Sequence, residues 1–72
     1  MKKIKKIKIK LNGKIRTINQ FYSLNKLVHD LNVPINKVAI ELNNEIINKK
    51  KIKKIMLKNN DIIEIVHFIG GG

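Results

Sequence analysis

The dipeptide Asn12-Gly13 constrains this chain more than any other feature, because of what flanks it. Residues 6 to 11 alternate lysine with isoleucine or leucine, so that Ile7, Ile9 and Leu11 share one face of an extended strand and the lysines share the other. A helical reading competes, since Ile4, Ile7 and Leu11 fall at i, i+3 and i+7 and would form a basic amphipathic helix of membrane-surface type. Ile9 lies off that stripe, however, and Asn-Gly follows at once. Both residues accept positive φ, which the tight turn of a β-hairpin demands. The chain therefore reverses, and residues 14 to 19 return as a second strand with Ile18 turned inward.

Beyond the hairpin the period changes. Ser23 stands as an N-cap before Leu24, Leu27, Val28 and Leu31, spaced i, i+3, i+4, i+7, which predicts one amphipathic helix of about ten residues. Asn32 suits the left-handed residue at its end, and Pro34 forbids continuation. Alternation resumes over residues 37 to 43, with Val38, Ile40 and Leu42 on one face and Glu41 on the other. Asn43-Asn44 turns the chain into a short strand at residues 45 to 47. Residues 48 to 58 form a basic connection anchored by Ile52, Ile55 and Leu57, with a helical turn folding it back on the core. A second turn, Asn59-Asn60-Asp61, opens a closing strand in which an outward Glu64 sets the phase. Ile63 and Ile65 then point inward, and Ile62, Val66 and Phe68 lie on the opposite face.

The order β-β-α-β-β-β, with a final strand that must insert beside the first, specifies an α+β fold. It is the β-grasp or ubiquitin-like roll, a mixed four- to five-stranded sheet with one helix across one face. Residues 1 to 69 are expected as a single β-grasp domain and residues 70 to 72 as a flexible glycine tail. One helix leaves the second sheet face partly bare. Ile62, Val66 and Phe68 would then make an apolar patch, which more often marks an interface than an accident.

Composition removes several functions. With 72 residues and no cysteine there is no disulfide, thiolate metal site or thiol nucleophile. His29 and His67 have no carboxylate cluster or nucleophile within sequence reach, so neither a metal site nor a catalytic residue is expected. No apolar run approaches a membrane span, and the lysine-rich start lacks the features of a signal or transit peptide. The net charge of +11 suggests phosphate binding, most locally at Lys49–Lys51, Lys53 and Lys54. Yet lysine, isoleucine and asparagine make up 40 of the 72 residues, and all three have adenine- and thymine-rich codons. Codon drift accounts for that composition more simply. The aromatics Phe21, Tyr22 and Phe68 are not interleaved with the lysines as a base-stacking platform requires, so no specific nucleic-acid partner is expected.

Phe68-Ile69 is followed directly by Gly70, Gly71 and Gly72. Glycine adds no packing and loses the most freedom on ordering, so three in a row finish a fold poorly. Frayed ends are usually polar and mixed. The alternative is a slender extension of about 10 Å ending in an unhindered carboxylate as the working group.

Leu11-Asn12-Gly13, Val38 to Asn43 and above all Asp61 to Gly72 resemble the ThiS family of sulfur carriers in thiamine biosynthesis, over residues from about 7 to 72. Where that family usually has Asp-Gly-Asp before the last strand this chain has Asn59-Asn60-Asp61, and Asn43-Asn44 replaces a common Asn-Gly. Both keep residues tolerant of positive φ. The resemblance implies a carrier that is not an enzyme and binds no cofactor. Gly72 would be adenylated by a ubiquitin-activating-like enzyme using ATP, then converted to a thiocarboxylate with sulfur from a cysteine desulfurase or similar donor. Thiazole synthase would receive the sulfur, Gly70 and Gly71 would enter the partners' active sites, and Ile62, Val66 and Phe68 would dock. It further implies a monomer when free, in a bacterial cytosol or plastid stroma, away from membranes. Three alternatives stand beside it. The small subunit of molybdopterin synthase ends in a similar diglycine, though its closing strand typically carries prolines that Val66 to Ile69 lacks. A basic nucleic-acid-binding β-grasp module and a ubiquitin-like modifier attached to lysines are the others.

Overall fold

The computed structural model describes residues 5–68. Two period-two runs flank Asn12-Gly13 and pair as expected, β1 (Lys6–Leu11) antiparallel to β2 (Lys14–Asn19). The turn residues carry positive φ, 48° at Asn12 and 82° at Gly13. A helix α1 (Leu24–Asp30) follows, then β3 (Val38–Leu42), β4 (Glu45–Ile46) and β5 (Ile62–His67). The sheet has five strands in the order β2-β1-β5-β3-β4. β5 lies parallel to β1 and antiparallel to β3, so the last strand is the central one. The expected mixed five-stranded β-grasp sheet with one helix is present.

The core collects what alternation and helical spacing assign to it. Ile9 and Leu11 of β1, Ile18 of β2, Val38 and Ile40 of β3, and Ile63 and Ile65 of β5 are buried against Leu24, Leu27 and Val28 of α1. Ile52 and Leu57 close it from the basic connection, where residues Lys49–Lys54 form a 3-10 helix capped by the Asn48 side chain. No buried side-chain polar atom among the described residues lacks a partner.

α1 has seven residues where about ten were predicted. The Ser23 hydroxyl accepts from the Lys26 N–H at 3.0 Å as anticipated. At the other end Leu31 is the C-cap, its N–H donating to the Leu27 carbonyl, while the Asn32 N–H donates to the His29 carbonyl and Asn32 takes φ 59°. The apolar stripe thus reaches one residue past the helix, and Leu31 packs on the core from the cap. β4 holds two residues where three were predicted, although the Ile47 N–H still donates to the Ile40 carbonyl of β3 at 2.8 Å and its side chain packs against the core.

The asparagines explain themselves locally. Asn12, Asn32, Asn43, Asn44 and Asn60 all have positive φ, the conformation that asparagine tolerates best after glycine. Phe21 also has positive φ, at 66°, and nothing in its exposed surroundings explains why an aromatic residue holds that conformation.

Candidate functional site

β5 is the strand on which every expected functional residue depends, and it is held from both sides. The Lys10 and Asn12 N–H groups donate to the Asp61 and Ile63 carbonyls at 2.9 Å. Across the other edge β3 pairs from Val38 opposite His67 to Leu42 opposite Ile63. The Phe68 N–H donates to the Lys37 carbonyl at 2.9 Å, so backbone pairing continues to the last described residue.

Two asparagine side chains lock its register. Asn12 accepts from the Ile65 N–H at 2.8 Å and donates to the Ile65 carbonyl at 3.3 Å, replacing ladder bonds that β1 is too short to supply. Asn43 accepts from the Ile62 N–H at 2.9 Å and donates to the Asp61 carboxylate, which in turn accepts from the Lys58 N–H. A strand tied this way presents its outer side chains at fixed positions.

Those outer side chains are Ile62, Val66 and Phe68, at 41%, 55% and 57% exposure, while Ile63 between them is 0% exposed. The expected patch thus lies on the sheet face that α1 leaves open. Cross-strand register widens it beyond the three residues expected. Ala39 stands opposite Val66, and Glu41 stands between Glu64 and an exposed Ile46. Toward β2, Lys10 pairs with both Ile62 and Ile15, and a shallow depression of about 240 Å³ runs between them beside Lys8 and Asn60. Lys49 places its ammonium 5.2 Å from the centre of the Phe68 ring, a cation–π distance. Sequence pattern could assign each outward residue its parity, but only the sheet order brings Glu41 beside β5 and Ile15 and Ile46 onto the same face two strands away.

Gly70, Gly71 and Gly72, expected to carry the chemistry, lie outside the described residues. His29 is on the solvent side of α1 next to Asp30, and His67 is exposed near the end of β5. No helix among the described residues is long and apolar enough to cross a membrane.

Comparisons with known proteins converge. The ThiS family matches over residues 9–72. The sulfur carrier protein ThiS of Bacillus subtilis is 35% identical over 65 residues, covering 89% of this chain and 98% of that protein. A thiazole synthase of Paramagnetospirillum magneticum is 36% identical over 66 residues, 92% of this chain, but the chain spans only 20% of that relative's length. The crystal structure of the thiamine biosynthesis protein ThiS from Geobacter metallireducens superposes with a TM-score of 0.81 at 28% identity, covering 92% of this chain and all of that one. The five-stranded sheet, its central closing strand and these matches together place the chain in the ThiS family.

Proposed function

We propose that this chain carries sulfur in thiamine biosynthesis, on the carboxylate of Gly72. The observation that supports it most directly is near-complete coverage of the Bacillus subtilis relative named sulfur carrier protein, by a chain whose closing strand runs through Phe68 toward three glycines. A carboxylate is a poor electrophile. Attack of one Gly72 oxygen on the α-phosphorus of ATP, with loss of pyrophosphate, would give an acyl-adenylate with a good leaving group. The outer sulfur of a donor-protein persulfide then displaces AMP to give an acyl disulfide. A second thiol attacks the donor cysteine sulfur of that bond, forming a disulfide there and releasing the thiocarboxylate, which is ionised and nucleophilic near neutral pH.

In this scheme a ubiquitin-activating-like enzyme binds the ATP, and the carrier contributes only an unhindered carbonyl carbon and a docking face. A side chain at position 71 or 72 would crowd that carbon and widen a segment that must enter an enclosed site. The chain is thus a recycled substrate that holds no cofactor, and Ile62, Val66 and Phe68 are its contact to the enzyme. A cysteine desulfurase or similar protein provides the sulfur, thiazole synthase accepts it, and the setting is a cytosol or plastid stroma. The thiazole synthase relative supports that acceptor over molybdopterin synthase.

The test is intact-mass spectrometry of the purified protein after incubation with its activating enzyme, ATP and a sulfur source. The expected product has one oxygen exchanged for sulfur, localised to a peptide ending at Gly72. A modification on a lysine or histidine, with Gly72 unchanged, or a mature chain that does not end at Gly72, would overturn the reading.

A further inference from the structure

The open sheet face carries a charge arrangement that its folding does not explain. Glu41 of β3 and Glu64 of β5 are directly opposite partners and lie on the same face. Opposed residues on neighbouring strands have Cβ atoms about 4.5–5.5 Å apart, and like charges so placed oppose pairing. The chain has 15 lysines and only five acidic residues, so compensation would be easy to supply. Among the described residues, however, the ion pairs recorded are those of Asp30 with Lys26 and His29. Asp61 is occupied with the Lys58 N–H and Asn43. Lys10, on the same face in the neighbouring strand, stands opposite Ile62 and makes no ion pair with Glu64.

Around this pair the face is apolar: Ile62 and Val66 flank Glu64 along β5, and Ile46 stands beside Glu41 on the far side. Beyond the apolar ring the surface is basic. A partner that receives the chain beyond Phe68 comes within reach of Glu64, which lies four residues earlier, about 13 Å at 3.3 Å per residue. A standard interface patch of about 800 Å² per partner is wide enough to include both.

We propose that the partner which takes the closing strand presents an arginine, set among apolar side chains, that seats between the Glu41 and Glu64 carboxylates. This rests on the sulfur-carrier reading. Arginine fits because its planar fork can bond both carboxylates at once, and because a guanidinium is less strongly hydrated than an ammonium. The arrangement selects as well as attracts. A partner surface without a cation would bury two like charges unpaired, which disfavours wrong partners and wrong registers more strongly than the apolar residues alone could. A second copy of this chain is a poor occupant, since at +11 each copy repels the other.

The experiment uses the full chain and the ubiquitin-activating-like adenylating enzyme of the same organism, with carrier-dependent ATP–pyrophosphate exchange as readout. The Glu41→Gln/Glu64→Gln double variant should raise the KM for the carrier about tenfold or more, as expected for loss of a covered charge pair. Its kcat at saturating carrier should hold, because the reacting carboxylate is remote. It should melt no lower than the parent, since two opposed charges have been removed. Glu45→Gln, opposite Leu42 and therefore on the other side of the sheet, should leave the KM unchanged. An unchanged KM in the double variant, or an equal rise in Glu45→Gln, would overturn the proposal. So would sedimentation showing that the parent self-associates through Glu41 and Glu64. If the parent itself supports no exchange, the carrier reading falls and takes this proposal with it, whereas normal exchange by both proteins overturns the arginine seat alone.

Discussion

Ile63 and Val66 are both apolar, β-branched residues of β5, three positions apart, and they have opposite fates. Ile63 is fully buried between the sheet and α1, while Val66 is more than half exposed on a face that nothing in the described chain covers. Alternation along one strand thus divides it into a buried side and an exposed side. The inner side sets whether the strand exists at all. The outer side leaves Ile62, Val66 and Phe68 about half exposed to water, an arrangement that suits a surface covered by a partner.

Breaking the inner side should have the largest effect. Ile63→Ala removes a buried side chain from a position with no room to collapse into solvent, and the expected cost is about 2–5 kcal/mol. A 72-residue domain holds roughly 4–11 kcal/mol in total. The variant should therefore lose a large fraction of its stability in urea denaturation, and with it every downstream activity. A midpoint within error of the parent would mean that β5 is not the strand that organises the core.

The outer side should respond in the opposite sense. Phe68→Ser leaves the core intact and loses only the Lys49 contact, so its unfolding free energy should stay within about 1 kcal/mol of the parent. The KM of the carrier with the adenylating enzyme should nevertheless rise about tenfold, since aromatic anchors carry a large share of interface energy. If Phe68→Ser destabilised the fold as Ile63→Ala does, the two sides of β5 would not be functionally distinct and the docking patch would have to be sought elsewhere.

That division was legible in the sequence because it depends on parity alone. One outward glutamate, Glu64, fixes the phase of the whole strand, and Asn12-Gly13 fixes the first hairpin. What parity cannot reveal is which strands become neighbours. Glu41 and Glu64 are 23 positions apart in sequence, and nothing local to either indicates that they face each other. The same holds for Asn12, whose side chain bonds the backbone of Ile65 across 53 residues. Read locally it is a turn residue, and its second role appears only once β5 lies beside β1. The abundance of asparagine, attributed to codon drift, acquires a structural reason at five positive-φ sites and in the side-chain bonds of Asn12, Asn43, Asn48 and Asn59. The lysines have no comparable set of roles.

One lysine breaks that last pattern and offers the smallest and sharpest test. The run Lys49–Lys51 reads as a solvated stretch remote from the closing strand, yet the 3-10 helix swings Lys49 over the Phe68 ring while Lys50 and Lys51 stay exposed. An exposed cation–π contact contributes about 0.5–1 kcal/mol. Lys49→Gln should release the ring and change the KM of the carrier by a few-fold at most, whereas Lys50→Gln/Lys51→Gln should leave sulfur transfer at the parent level. Both variants should weaken adhesion to nucleic acid in proportion to the lysines removed, the double variant about twice as much as the single in log affinity, because phosphates respond to charge and not to position. Each lost phosphate contact should flatten the slope of log affinity against log salt by about 0.9 on duplex DNA. Measured side by side across a salt series, the two variants separate docking from adhesion. A KM effect of Lys50→Gln/Lys51→Gln as large as or larger than that of Lys49→Gln would show that general charge, not the Phe68 contact, governs how the partner meets this face.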